Sequence, residues 1–188
     1  MNLKLNDKEY PQGVVVYCAS SSLIPQAYLD AAREMGRLLA EAGVPLVCGG
    51  GAAGLMAQAI EGADEAGGVT IGVLPEFMMA KQWNHPQLTE TVSTPSMHVR
   101  KQTMASMSRA AVALAGGIGT LDELCEIMTW HQLGLFTGPV IIVNTDGFYD
   151  PLLQMFEKMK AQGFMRGDKI PAEVVSTPAE AVKLILQK

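Results

Sequence analysis

Short apolar runs alternate with amphipathic segments along nearly the whole of this 188-residue chain, and that alternation limits the fold more than any other feature. The runs fall at 13–18 (GVVVYC), 44–48, 69–74, 110–114 and 140–143, with shorter ones at 91–93 and 173–175. Between them apolar residues recur at helical spacing, as with Ala27, Ala31, Met35, Leu38 and Leu39 inside 24–42. Further helices are expected over 55–66, 97–109 and 149–162, the third of these opening at Asp150-Pro151 with Asp150 as cap and Pro151 at the first helical position. A last one opens at Thr177-Pro178-Ala179-Glu180, a capping box with proline at the first helical position. Strands this apolar have no solvated face and need helices on both sides of a parallel sheet. The expectation is an α/β fold: one nucleotide-binding domain over 1–188, a parallel sheet of about six or seven strands, and a polar N-terminal extension at 1–12.

Composition narrows the class of partner. Hydrophobic residues make up 48% of the chain, charged residues 18%, and the formal net charge is −5. A chain that grips a phosphate backbone normally carries a basic face, so nucleic acid is not expected as a partner. The N-terminal MNLKLNDKEYPQG has no apolar signal core. No apolar run approaches the roughly 20 residues of a bilayer span, so no membrane partner is expected. Cysteines at 18, 48 and 125 are odd in number and widely spaced, which suits reduced thiols in a cytoplasmic protein.

The chain is organised around residues 110–126, AAVALAGGIGTLDELCE. The apolar run breaks into Gly116, Gly117, Ile118, Gly119 and Thr120, and an amphipathic segment with Leu121, Leu124, Ile127 and Met128 follows. Strand, glycine turn and helix in that order leave bare backbone N–H groups at the positive end of a helix dipole, a seat for phosphate. Thr120 reads as the residue that opens the helix. Asp122 and Glu123 then fall in its first turn, where a bound phosphate would repel them, so something nearby must balance or use those carboxylates. Arg100 and Lys101, in MHVRKQ, stand just after a strand. Arg100 is a natural counter-charge for Glu123 or for a phosphate, against the plainer reading of a solvated cationic pair. Glu123 has two readings that do not exclude each other: a ligand-facing acid, and a capping-box partner of Thr120.

The small-residue turns at 19–22, 49–54 and 115–120 all follow strands, and in such sheets ligands bind beyond the strands' carboxyl ends. Gly49, Gly51 and Gly54 match G-x-G-x-x-G, with Glu76 beyond the next strand. Phosphate or ribose contact is expected of this loop, with tight strand–helix packing as the alternative. Ser20, Ser21 and Ser22 read as phosphate or ribose donors and not as nucleophiles. Residues 76–95 read as a long loop with a short strand at 91–93, placed to be a lid or a partner contact. His85, His98 and His131 lack metal spacing, and only His98 falls near the proposed rim; no metal is expected. Trp83 and Trp130 read as packing residues, and Met97, Met104 and Met107 as the buried side of their helix. Neither a Gly-Lys-Ser/Thr phosphate loop nor a G-x-S-x-G elbow is present, which argues against nucleoside-triphosphate hydrolysis and esterase chemistry.

AGGIGTLDE at 115–123 resembles the P-G-G-x-G-T-x-x-E motif of the LOG (Lonely Guy) family, and MHVRK at 97–101 resembles its M-x-x-R-K motif. The similarity runs on through GGGAAGLM at 49–56, TWHQLG at 129–134 and GFYDPLL at 147–153, covering roughly residues 13–180. The resemblance implies a Rossmann-like fold, a homodimer and no cofactor. It implies hydrolysis of the N-glycosidic bond of a nucleoside 5′-monophosphate, a cytokinin riboside monophosphate or AMP, to free base and ribose 5-phosphate. The family's catalytic arginine and glutamate carry over to Arg100 and Glu123, and its phosphate loop to Gly116, Gly117, Gly119 and Thr120. Ser20, Ser21, Gly50, Gly51, Gly54, Met97 and Lys101 complete the expected substrate contacts. Ala115 replaces the family's proline, Ala52-Ala53 a commoner Ser-Val pair, and His131 and Phe136 also depart from the usual residues. Members were long labelled lysine decarboxylases, yet Ser96-Met97-His98 lacks the adjoining lysine that pyridoxal phosphate would want. Two other readings use the same residues: a non-catalytic nucleotide or molybdenum-cofactor carrier, and an NAD(P)-binding oxidoreductase built on 49–54 and Glu76.

Overall fold

The computed structural model describes residues 2–165, 167 and 169–187. Met1, Arg166, Asp168 and Lys188, which the expected domain span includes, lie outside them. The chain opens with an antiparallel hairpin, β1 (Asn2–Leu5) and β2 (Lys8–Pro11), and continues through β3 (Gly13–Tyr17), α1 (Gln26–Glu41), β4 (Leu46–Cys48) and α2 (Gly54–Glu65). Next come β5 (Thr70–Pro75), the short α3 (Glu76–Met79), β6 (Glu90–Thr94), α4 (Met97–Ser106), β7 (Ser108–Ala113) and α5 (Ile118–Gln132). The remainder is β8 (Val140–Val143), α6 (Asp150–Ala161), β9 (Glu173–Val175) and α7 (Pro178–Leu186).

The large sheet has seven strands in the order β6-β5-β4-β3-β7-β8-β9, every neighbouring pair parallel. The chain starts in the middle at β3, steps outward to β6, then returns to the other side of β3 and steps outward again to β9. Strand order therefore reverses between β3 and β7, and a ligand crevice forms beyond the carboxyl ends of those two strands.

Alternate residues of each strand serve opposite layers. Val14, Val16, Leu46, Val112, Ile141 and Val143 pack with Met35 and Leu39 of α1, Ile60 of α2 and Ile185 of α7. Val15, Val47, Ile71, Val73, Ala111 and Ile142 pack with Met104 of α4, Leu124 and Ile127 of α5, and Phe156 of α6. Both faces of the sheet are dry, as the unbroken apolar runs require.

Several local features differ from the sequence expectation, among them the short helix α3 at the head of the expected 76–95 loop. The polar N-terminal stretch is a hairpin, because Asn6 and Asp7 adopt left-handed backbone (φ 45° and 63°) in a two-residue turn matched to strand twist. Tyr10 Oη and Asn6 Nδ2 donate to the two oxygens of buried Glu90, at 2.6 and 2.5 Å, tying the hairpin to edge strand β6. The helix expected over 97–109 ends at Ser106, since Ser108 and Arg109 are drawn into β7, where Ser108 pairs with Gly13. Helix α5 starts at Ile118 with Gly117 as N-cap, so Thr120 lies inside its first turn and Asp122 and Glu123 lie beyond it. At the C-terminus the Thr177–Glu180 capping box forms as expected. Asp150 does not cap α6; its Oδ1 accepts from Asn144 Nδ2 while Tyr149 holds the N-cap position.

Candidate active site at the switch point

Three turns meet around Ala19. Its N–H donates to the Ala115 carbonyl at 3.1 Å, and its carbonyl accepts from Met56 N–H at 3.3 Å, so the turn after β3 is bonded to the turn after β7 and to the first turn of α2, which follows the glycine loop. Tyr149 braces the same rim from the N-cap of α6: its buried hydroxyl donates to the Leu114 carbonyl at 2.7 Å, one residue short of the turn. Helix α5 closes its first hydrogen bond from Leu121 N–H to Gly117 carbonyl. The N–H groups of Ile118, Gly119 and Thr120 thus have no acceptor within the helix and sit at its positive end. Thr120 is buried and packs directly on Gly116, leaving no room for a side chain at 116.

A cavity of about 640 Å³ opens between these turns. Ser20, Ser21, Gly51, Met97, Arg100, Gly117, Gly119, Thr120 and Glu123 all line it, brought together from four segments of the chain. Ser22, which is exposed, and four other expected residues do not. Gly50 and Gly54 hold left-handed turns (φ 70° and 63°), Gly116 backs Thr120, and Lys101 faces α5. Met97 is partly exposed at the cavity, not on the buried side of α4; Met104 and Met107 are buried as expected. His98 is exposed and outside the lining, and so is Glu76, so the acid that a dinucleotide fingerprint needs at the ribose is not at this loop.

Arg100 and Glu123 form the charged centre. The Arg100 guanidinium donates from Nε to the Val73 carbonyl at 2.8 Å and from Nη1 to Glu123 Oε1 at 3.2 Å. Both side chains are largely buried, at 7% and 13% exposure. Burial raises the Glu123 carboxyl to about 7; Arg100 pulls it back down, Asp122 pushes it up and Lys101 lowers it. With Gly117 as N-cap of α5 and no side-chain cap bond there, Glu123 is not a capping residue, and near neutral pH it is poised between its two protonation states. Lys101 takes up the neighbouring acids, with Nζ 2.9 Å from Asp122 Oδ2 and 3.3 Å from Glu126 Oε2. The acids that follow a phosphate-type turn are thus met one α4 cation at a time. Burial pushes the Cys18 thiol well up and the Cys48 thiol to about 11, leaving both protonated and unfit as nucleophiles at neutral pH.

Sequence reasoning missed one wall of the cavity: Leu74, Met78, Gln82 and Trp83. Trp83 is half exposed at the cavity and is not core packing. A signal was present, since residues 76–85 follow the carboxyl end of β5, the same rim as the other turns.

A family model described as "Possible lysine decarboxylase" matches residues 56–185. The chain is 38% identical to cytokinin riboside 5′-monophosphate phosphoribohydrolase LOG of Oryza sativa subsp. japonica, over 93% of this chain and 71% of that one. It is 45% identical to a probable enzyme of the same name, LOGL9, from the same plant, over 81% and 67%. Among solved structures, the molybdenum cofactor carrier protein of Chlamydomonas reinhardtii superposes with a TM-score of 0.71 at 25% identity, covering 94% of this chain and 99% of that one. Among the described residues no helix is long and apolar enough to cross a membrane. With the family model spanning most of the chain and the rice LOG protein matched over most of its length, this chain belongs to the LOG family.

Proposed function

We propose that this chain hydrolyses the N-glycosidic bond of a nucleoside 5′-monophosphate, a cytokinin riboside monophosphate or AMP, to free base and ribose 5-phosphate. The observation that carries the reading is the buried Arg100–Glu123 pair in one cavity with the glycine turn at the start of α5. The names of the rice relatives support it.

In this reading the 5′-phosphate docks on the free N–H groups of the 117–120 turn. The bond between the anomeric carbon and the base nitrogen breaks, and its electron pair leaves with the base, which takes a proton from solvent. Positive charge spreads over the anomeric carbon and the ring oxygen, as in other glycoside hydrolyses. The Glu123 carboxylate stabilises that charge and accepts the proton of the water that adds to the anomeric carbon. Arg100 holds Glu123 in place and offsets its repulsion of the phosphate. A homodimer and a cytoplasmic location accompany the reading; the apolar Ile118, Leu133 and Leu135, exposed on and just after α5, support self-association.

Incubation with AMP and with isopentenyl-AMP, followed by chromatography, tests the proposal: free base and ribose 5-phosphate must appear. A non-catalytic carrier is the second reading, favoured by the likeness to the Chlamydomonas carrier protein, and it predicts tight binding with no free base.

A further inference from the structure

The steps just proposed use one part of the cavity and leave the wall at Trp83 without a role. That wall is built with some care. Gln82 takes a left-handed backbone (φ 55°) as α3 ends, its N–H bonded to the Met79 carbonyl, and Trp83 N–H turns back to the Met78 carbonyl at 3.2 Å. The following residues are bonded onto the glycine loop. Ala52 N–H donates to the Trp83 carbonyl at 3.2 Å, His85 N–H donates to the Gly50 carbonyl at 2.8 Å, and Gly51 and Asn84 pair between them. The backbone that carries the indole is therefore anchored on both sides, although the ring itself is half exposed. Lys81 Nζ lies 4.8 Å from the ring centroid, so an ammonium already covers one face of the indole. Met56, Leu74, Met78 and Met97 line the same cavity. Charge and free N–H groups mark the phosphate and ribose end; an aromatic ring on an anchored backbone, with methionines lining the same cavity, marks an end suited to a flat, weakly polar group.

We infer that Trp83 is the specificity-determining residue of this site, stacking its uncovered face on the base of the bound nucleotide while the surrounding methionines pack the base's edge. The inference rests on the nucleotide reading given above and deepens it, because it assigns the end of the cavity that the cleavage chemistry does not define.

The test uses the full chain and three small probes: AMP, isopentenyl-AMP and ribose 5-phosphate. In a Trp130→Phe background Trp83 is the sole indole, since the chain has two tryptophans. AMP and isopentenyl-AMP should then quench its fluorescence, and ribose 5-phosphate, which lacks a base, should not. Trp83→Ala should lower kcat/KM for both nucleotides roughly 5- to 150-fold, the range that base–aromatic stacking supplies, chiefly through KM. Trp83→Phe should recover most of that loss, and inhibition by ribose 5-phosphate should be unchanged in both variants. AMP binding with no change in Trp83 emission overturns the inference, as does equal weakening of nucleotide and ribose 5-phosphate binding. A chain that releases no base, yet shows Trp83 quenched by AMP, loses the hydrolase reading and keeps this one.

Discussion

The guanidinium of Arg100 occupies the space that a side chain on residue 49 would need: a Cβ built there would start inside contact distance of Nη2. Gly49 in the loop after β4 and Arg100 on α4 are thus one steric unit, and the glycine sets where the arginine meets Glu123. Gly49→Ala should displace the guanidinium while leaving the apolar core intact. Misplacing an orienting group by about 1 Å costs on the order of 100-fold in rate, and a loss of that size in kcat/KM is expected. Near-wild-type turnover by this variant would show that the contact between residue 49 and Arg100 does not matter.

Glu123→Gln keeps the shape and an acceptor for Arg100 but cannot carry negative charge or take a proton. The expected outcome is a fall in kcat of roughly 100- to 10,000-fold, with AMP affinity by calorimetry largely retained. Normal release of free base would remove Glu123 from the mechanism.

Because burial holds Glu123 at about 7, and the proposed reaction needs the carboxylate, kcat/KM for AMP should rise with pH through about 7. Lys101 is one of the charges that lower Glu123, so Lys101→Met should move this acid limb to higher pH. A pH–rate profile of the two proteins reads the shift directly. A limb that stays in place while activity merely drops would mean that Lys101 acts only on structure.

The same carboxyl has a consequence for stability. Its folded value, about 7, lies above the ordinary value of 4.5. Between those two pH values the folded chain binds more protons than the unfolded chain, so its stability falls as pH rises through that window. At about 1.4 kcal/mol per unit, the ionised group costs the fold on the order of 3 kcal/mol above pH 7. Urea unfolding should find Glu123→Gln nearly equal to the parent at pH 5 and more stable than it at pH 8, by on the order of 2 kcal/mol, the part of that cost that builds up between the two pH values. A difference that does not change with pH would contradict the buried, poised carboxyl.

Much of this architecture was legible in the residues. Alternation of apolar runs with helical periodicity named the α/β class and located all seven strands of the large sheet, because strand and helix periods are local properties of a chain. The glycine and serine turns, together with Arg100 and Glu123, could be singled out for the same reason: bare N–H groups and an acid beside them make a chemical demand within a few residues. What the sequence could not supply was the set of neighbours. Only the folded sheet, with β3 beside β7, decides that the turns at 19–22, 49–54 and 115–120 share one cavity. Only close packing sets the start of α5 at Ile118, buries Thr120 against Gly116, pairs Lys101 with Asp122 and Glu126, and turns Trp83 to the cavity. The polar hairpin at the N-terminus escaped notice because its anchor, Glu90, lies 80 residues away from Tyr10. The poised state of Glu123 is likewise tertiary, since it comes from water excluded by elements far apart in the chain, and desolvation cannot be read from spacing.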